Sequence, residues 1–123
     1  MLTHVVQLEE IGTGDVEQVG GKAANLGELI RGGLPVPGGF VVTAQAFLAA
    51  LDEAGVRQTV RQRLAAVDVD DPVALSAAAH ELQGLVRSAP LPDTLFKELL
   101  HAYHDLGDNV SVAVRSSATS EDS

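Results

Sequence analysis

The run Gly32-Gly33-Leu34-Pro35-Val36-Pro37-Gly38-Gly39 constrains this chain more than any other stretch. Its two prolines lack the N–H that a helix interior or a central strand must donate. The segment therefore reads as a stiff, extended connector. Glycine just past a helix end stops the helix before it. That helix runs from Lys22 to Arg31, with Ala23, Leu26, Leu29 and Ile30 at helical spacing. Upstream, His4-Val5-Val6-Gln7-Leu8 reads as a short strand followed by a glycine-containing loop. Downstream, Phe40-Val41-Val42 reads as a second short strand, and Thr43 is suited to cap a helix whose buried face is Ala44, Phe47, Leu48 and Leu51. Gly55 breaks that helix, and Val56, Val60, Leu64 and Val67 mark the next. Asp71-Pro72 supplies a cap and a first helical residue for a helix bearing Leu75, Ala78, Leu82, Leu85 and Val86. After Pro90 and Pro92, a last helix carries Leu95, Leu99, Tyr103 and Leu106. Val110 to Val114 alternates and is β-branched, the clearest strand signal in the chain. The pattern is α+β: short strands flanking a block of three to four helices.

A length of 123 residues suits one domain, or one lobe of a larger one. Aromatic residues are only 3% and Trp is absent, so the core must be built from Ala, Leu and Val. A net charge of −9 lacks the basic field that nucleic acid or an anionic membrane requires. It leaves room for an anionic ligand held by one or two well-placed cations. The absence of Cys excludes disulfides, thiolate nucleophiles and Cys-based zinc sites. Met1 to Glu10 has neither a basic region nor a long apolar run, and no stretch reaches the ~20 apolar residues of a membrane span. The expectation is a cytoplasmic protein. The chain stops in a polar run directly after its best strand, which is expected of one part of something larger.

Two places could carry chemistry. Gly20-Gly21-Lys22 opens a helix, where unpaired backbone N–H groups and the helix dipole favour an anion and a lysine adds a full charge. The segment is neither a Walker A loop, with Val16 and Ala23 at the deciding positions, nor a dinucleotide fingerprint, with Glu17 where glycine is needed. Arg115 ends the Val110–Val114 strand with a planar fork of donors suited to phosphate oxygens. Ser116, Ser117, Thr119 and Ser120 add hydroxyls after it. Read locally, the first place is a turn with two glycines and an exposed lysine, and the second is not separable from a solvated strand end followed by turn-forming hydroxyl residues. Glu98, His101 and His104 share a helix, but nothing completes a metal site with them. Arg57, Arg61 and Arg63 form a basic patch opposed by the acidic turn Asp68 to Asp71.

Taken in order, Val19-Gly20-Gly21-Lys22-Ala23-Ala24-Asn25-Leu26-Gly27-Glu28-Leu29-Ile30, Leu34-Pro35-Val36-Pro37-Gly38-Gly39-Phe40-Val41-Val42-Thr43 and Val112-Ala113-Val114-Arg115-Ser116-Ser117-Ala118-Thr119-Ser120-Glu121-Asp122 resemble the start of the nucleotide-binding domain of the phosphoenolpyruvate synthase and pyruvate phosphate dikinase family. Rifampin phosphotransferase shares this opening. The resemblance spans essentially all of residues 1–123 and implies the N-terminal lobe of an ATP-grasp domain. It further implies that ATP gives its β-phosphate to a histidine on a separate domain, releasing AMP and phosphate, and that the phosphohistidine passes the phosphate to an acceptor such as pyruvate. Lys22 and Arg115 fall on the family's ATP-phosphate lysine and arginine, with Gly20, Gly21, Ser116 and Ser117 as further candidates around the phosphates. None of the four histidines matches the phosphorylated one. The second ATP lobe with its Mg²⁺ ligands, the phosphohistidine domain and the acceptor domain are expected elsewhere in a longer protein, so residues 1–123 alone should not turn over. Ser120 stands where the family more often has Ala. A rifampin-type phosphotransferase and a non-catalytic interaction module are the competing readings. Convergence of positions 22 and 115 separates an ATP lobe from such a module.

Overall fold

The computed structural model describes residues 4–118. The chain divides into two compact units, one formed by residues 1–47 and 93–123 and the other by residues 48–92.

In the first unit, β1 (Val5–Gln7) and β2 (Phe40–Val42) form a two-stranded antiparallel sheet. Val5 pairs with Val42, Val6 with Val41 and Gln7 with Phe40. Backbone bonds extend the ladder at both ends, Leu8 N–H to Gly39 O at 3.0 Å and Thr43 N–H to His4 O at 2.9 Å. The proline-glycine connector has no regular structure; it turns at Pro35, where Val36 N–H donates to Leu34 O at 2.8 Å, and then feeds β2. Between the strands lie two short 3₁₀ turns, Leu8–Glu10 and Thr13–Asp15, and the helix α1 (Val16–Arg31). The core is small and aliphatic: Val6, Leu8, Ile11, Val19, Ala23 and Ala24 are buried together, with Val16, Leu26, Ile30 and Val41 against them. Small residues let α1 come close. A Cβ on Gly27 would meet the carbonyls of Ile11 and Leu8. Leu29, which shares the helical spacing of Ala23, Leu26 and Ile30, falls outside this face and is exposed. Gly33, at φ 81°, closes α1 in a Schellman arrangement, with Leu34 N–H on Leu29 O and Gly33 N–H on Ile30 O. The helix α5 (Asp93–Leu106) packs on β1 and buries Leu95 and Ala102.

The helix α2 (Ala44–Glu53) starts where Thr43 Oγ1 accepts the Ala46 N–H at 3.2 Å. The cap is as expected, and of the expected buried face only Leu51 is buried. Ala46, Ala50 and Leu51 are buried, while Ala44, Phe47 and Leu48 are exposed. Thr43 itself is buried, and residues three and seven positions beyond it fall on its side of the helix.

The second unit holds α3 (Val56–Ala66) and α4 (Pro72–Ser88), which pack on each other. Gly55 separates α2 from α3 in a left-handed conformation. Asp71 Oδ1 accepts the N–H groups of Val73 and Ala74 at the start of α4, with Pro72 as its first residue. Two arginines of this unit pair with carboxylates on the helices rather than with the acidic turn: Arg57 with Asp52 at 2.8 Å and Arg63 with Glu81 at 2.9 Å, while Asp71 caps α4.

The expected strand at Val110–Val114 does not form. These residues are without regular structure and mostly exposed, with Val114 at 92%. Alternation and β-branching favour an extended chain, but a strand exists only in a ladder. Among the described residues the ladder is that of β1 and β2. The α+β character therefore rests on a helix-rich chain with one two-stranded sheet. No helix among the described residues is long and apolar enough to cross a membrane.

Candidate phosphate site

The helix α1 is two helices joined at Gly20, which stands at φ 82° and ψ 165°. Val16 to Val19 makes the first turn, and the helix restarts at Gly21. The break has a cause. The backbone of Ser117 occupies the place where a side chain on residue 20 would go, and a Cβ there would lie 2.6 Å from the Ser117 carbonyl oxygen. Only a residue without Cβ combines this φ with that approach.

Three successive residues, Ser116 to Ala118, are bonded to three successive residues at the restart. Gly21 N–H donates to Ala118 O at 3.0 Å, and Ala23 N–H donates to Ser117 Oγ at 3.1 Å. Lys22 Nζ donates to Ser116 O over a longer 3.5 Å. The last two bonds each span 94 residues of sequence. Arg115 is the residue immediately before this clasp and is exposed. The two segments that the sequence marked independently are thus neighbours, and one of them is the positive end of a helix.

One expectation changes in form. The N–H groups of Gly21 and Ala23 do not point outward unpaired. A carbonyl and a hydroxyl of the same chain already satisfy them, as helix starts require. Gly20 is buried under Ser117, so its absent side chain admits protein backbone. Lys22, half-buried, and Arg115 carry the positive charge. Thr119 and Ser120 lie outside the described residues.

Sequence reasoning missed Tyr103 as part of this arrangement, since its spacing marked it only as a core position. Its Oη donates to Val110 O at 2.7 Å across a tight turn with Gly107 at φ 136° and Asn109 at φ 52°. A Tyr followed seven residues later by a strand-like run, with Gly and Asn between, is the signal that was present. Two of the four histidines pair with carboxylates apart from the site. His4 Nδ1 lies 3.0 Å from Glu98 Oε2, and His101 Nε2 lies 3.5 Å from Asp105 Oδ2. Among the described residues no three His, Asp or Glu side chains are grouped to hold a metal ion. An open cleft of about 350 Å³ between β1 and α5 is lined by Val5, Gln7, Lys97, Glu98, His101, Ala102 and Asp105, and none of the candidate phosphate residues borders it.

Residues 16–123 match the family described as the pyruvate phosphate dikinase AMP/ATP-binding domain. The chain belongs to that family. It is 43% identical over 129 residues to a phosphoenolpyruvate synthase of Pseudomonas aeruginosa, an alignment covering 99% of this chain and 16% of the relative. A phosphoenolpyruvate synthase of Deinococcus radiodurans is 47% identical over 112 residues, covering 88% of this chain and 14% of the relative. The phosphoenolpyruvate synthase of Escherichia coli K12 is 39% identical over 125 residues, covering 96% and 16%. The chain thus spans less than a fifth of the length of these curated relatives.

Proposed function

We propose that residues 1–123 form the N-terminal lobe of an ATP-grasp domain in a phosphotransferase that converts pyruvate, ATP and water into phosphoenolpyruvate, AMP and phosphate. The transferred group is the β-phosphate, carried by a phosphohistidine on another domain. In this reading Lys22 and Arg115 hold the ATP phosphates and Ser116 borders them. The observation that carries it is the meeting of Gly20-Gly21-Lys22 with Arg115-Ser116-Ser117 across 94 residues of sequence. Phosphoryl transfer is governed by positioning and charge neutralisation, and a lysine and an arginine on adjoining segments at a helix start supply both. Lys22 delivers a point charge, and Arg115 a planar fork that fixes orientation.

Among the described residues no three His, Asp or Glu side chains are grouped to hold Mg²⁺. In this reading its ligands, the phosphorylated histidine and the acceptor site belong to other parts of a longer protein, and residues 1–123 alone do not turn over. The setting is the cytoplasm. The names of the similar proteins favour pyruvate as acceptor over an antibiotic.

The test uses the intact protein with ATP labelled at the β-position, Mg²⁺ and no acceptor. Wild type should form an acid-labile phosphoprotein that pyruvate discharges and rifampin does not. Lys22→Ala and Arg115→Ala should each lower labelling at fixed ATP by about tenfold or more, as expected for loss of a charge-assisted contact. Unchanged labelling in both variants would overturn the assigned roles. An unlabelled wild type that fails to bind ATP would leave an interaction module.

A further inference from the structure

We propose that Ser117, seated against Gly20, is a positioning residue that sets where Arg115 stands relative to Lys22, rather than a ligand of the phosphates. The inference rests on the reading of Lys22 and Arg115 as phosphate-binding residues. Its own support is the way the Arg115 segment is held. Residues 111–115 are exposed, with Val112 at 51% and Val114 at 92%, so side-chain packing does little to fix their path. The segment is held instead at two ends. Upstream, Tyr103 Oη donates to Val110 O at 2.7 Å. Downstream, Ser117 Oγ accepts the Ala23 N–H at 3.1 Å, and the carbonyls flanking Ser117 in sequence accept from Lys22 Nζ and Gly21 N–H.

The downstream anchor is the one that bears on both cations. Arg115 lies two residues before Ser117, and Lys22 immediately precedes the residue that Ser117 caps. The hydroxyl thus joins the backbone of one phosphate-binding segment to that of the other. Gly20 makes the join possible, because any Cβ there would push the Ser117 backbone away. Displacements of about 1 Å in a positioning group can cost two orders of magnitude in rate, so one hydrogen bond that sets a register has leverage beyond its own strength.

The test is a double-mutant cycle on the intact protein, reading the ATP concentration that half-saturates phosphoenzyme formation. Ser117→Ala should raise that concentration by at least about fivefold, the factor that corresponds to one net hydrogen bond. Ser117→Thr keeps the hydroxyl and should stay within about threefold of wild type. In an Arg115→Ala background, Ser117→Ala should add less than about twofold, because the residue it positions is gone. An equal Ser117→Ala effect in both backgrounds would show a merely structural role and overturn the proposal. If Arg115→Ala alone leaves the ATP dependence unchanged, the phosphate reading itself fails. That result is distinct from a defective Arg115→Ala protein on which Ser117→Ala still acts in full. Should Ser117→Ala fail to fold, Ser117→Cys, of similar size but a weak acceptor, carries the same cycle.

Discussion

At residue scale, Gly20 and Thr43 show how one side chain, or its lack, fixes a local path. Gly20 holds a left-handed φ that bends α1 and opens room for Ser117. Thr43 is buried at 2% exposure, and its hydroxyl is the helix cap of α2. Replacing a Thr cap by Ala typically costs ~0.5–2 kcal/mol, and burial places this one toward the upper part of that range. Thr43→Ala should therefore lower the thermal midpoint measurably, with Thr43→Ser recovering most of the loss in calorimetry. Equal destabilisation by both would assign the effect to the methyl group, not to the cap.

At the scale of elements, side-chain spacing and the observed faces part company where small residues are involved. Spacing selects the largest apolar side chains, yet α1 packs through Val19, Ala23, Ala24 and Gly27, and α2 through Ala46, Ala50 and Leu51. Close approach of α1 to β2 rewards small side chains, and Leu29 on α1 is left exposed, as are Phe47 and Leu48 on α2. The segment after α5 behaves likewise. Its sequence is that of a strand, but its path is set by Tyr103 and Ser117 instead of by a ladder. Tyr103→Phe removes one half-buried hydrogen bond worth ~1 kcal/mol. Proteolytic cleavage within residues 110–116 should then speed up, while α1 keeps its amide protection. Unchanged cleavage at 110–116 would mean that Ser117 alone holds the segment.

For the molecule as a whole, a charge of −9 should keep copies apart, while Val112 and Val114 expose β-branched side chains on unpaired backbone. Unpaired strand-like segments template association. Residues 1–123 alone should therefore self-associate more in sedimentation than their charge suggests, and Val112→Lys with Val114→Lys should shift the population toward monomer. A monomeric wild type at all concentrations would exclude this segment as the associating edge.

Caps, breaks and connectors were legible in sequence because they are local. Thr43, Gly55, Asp71-Pro72 and Gly32-Gly33 act through bonds and dihedrals within a few residues of themselves. Lys22 and Arg115 were legible as cations suited to phosphate, each on its own segment. Which helix faces are buried, whether Val110–Val114 pairs, and how the N–H groups at the start of α1 are satisfied all depend on residues far away in the chain. The contact of Ser117 with Gly20 is of that kind. Sequence determines that residue 20 can take a left-handed φ without a Cβ, and only the tertiary structure decides that Ser117, from nearly a hundred residues away, occupies the space thus left.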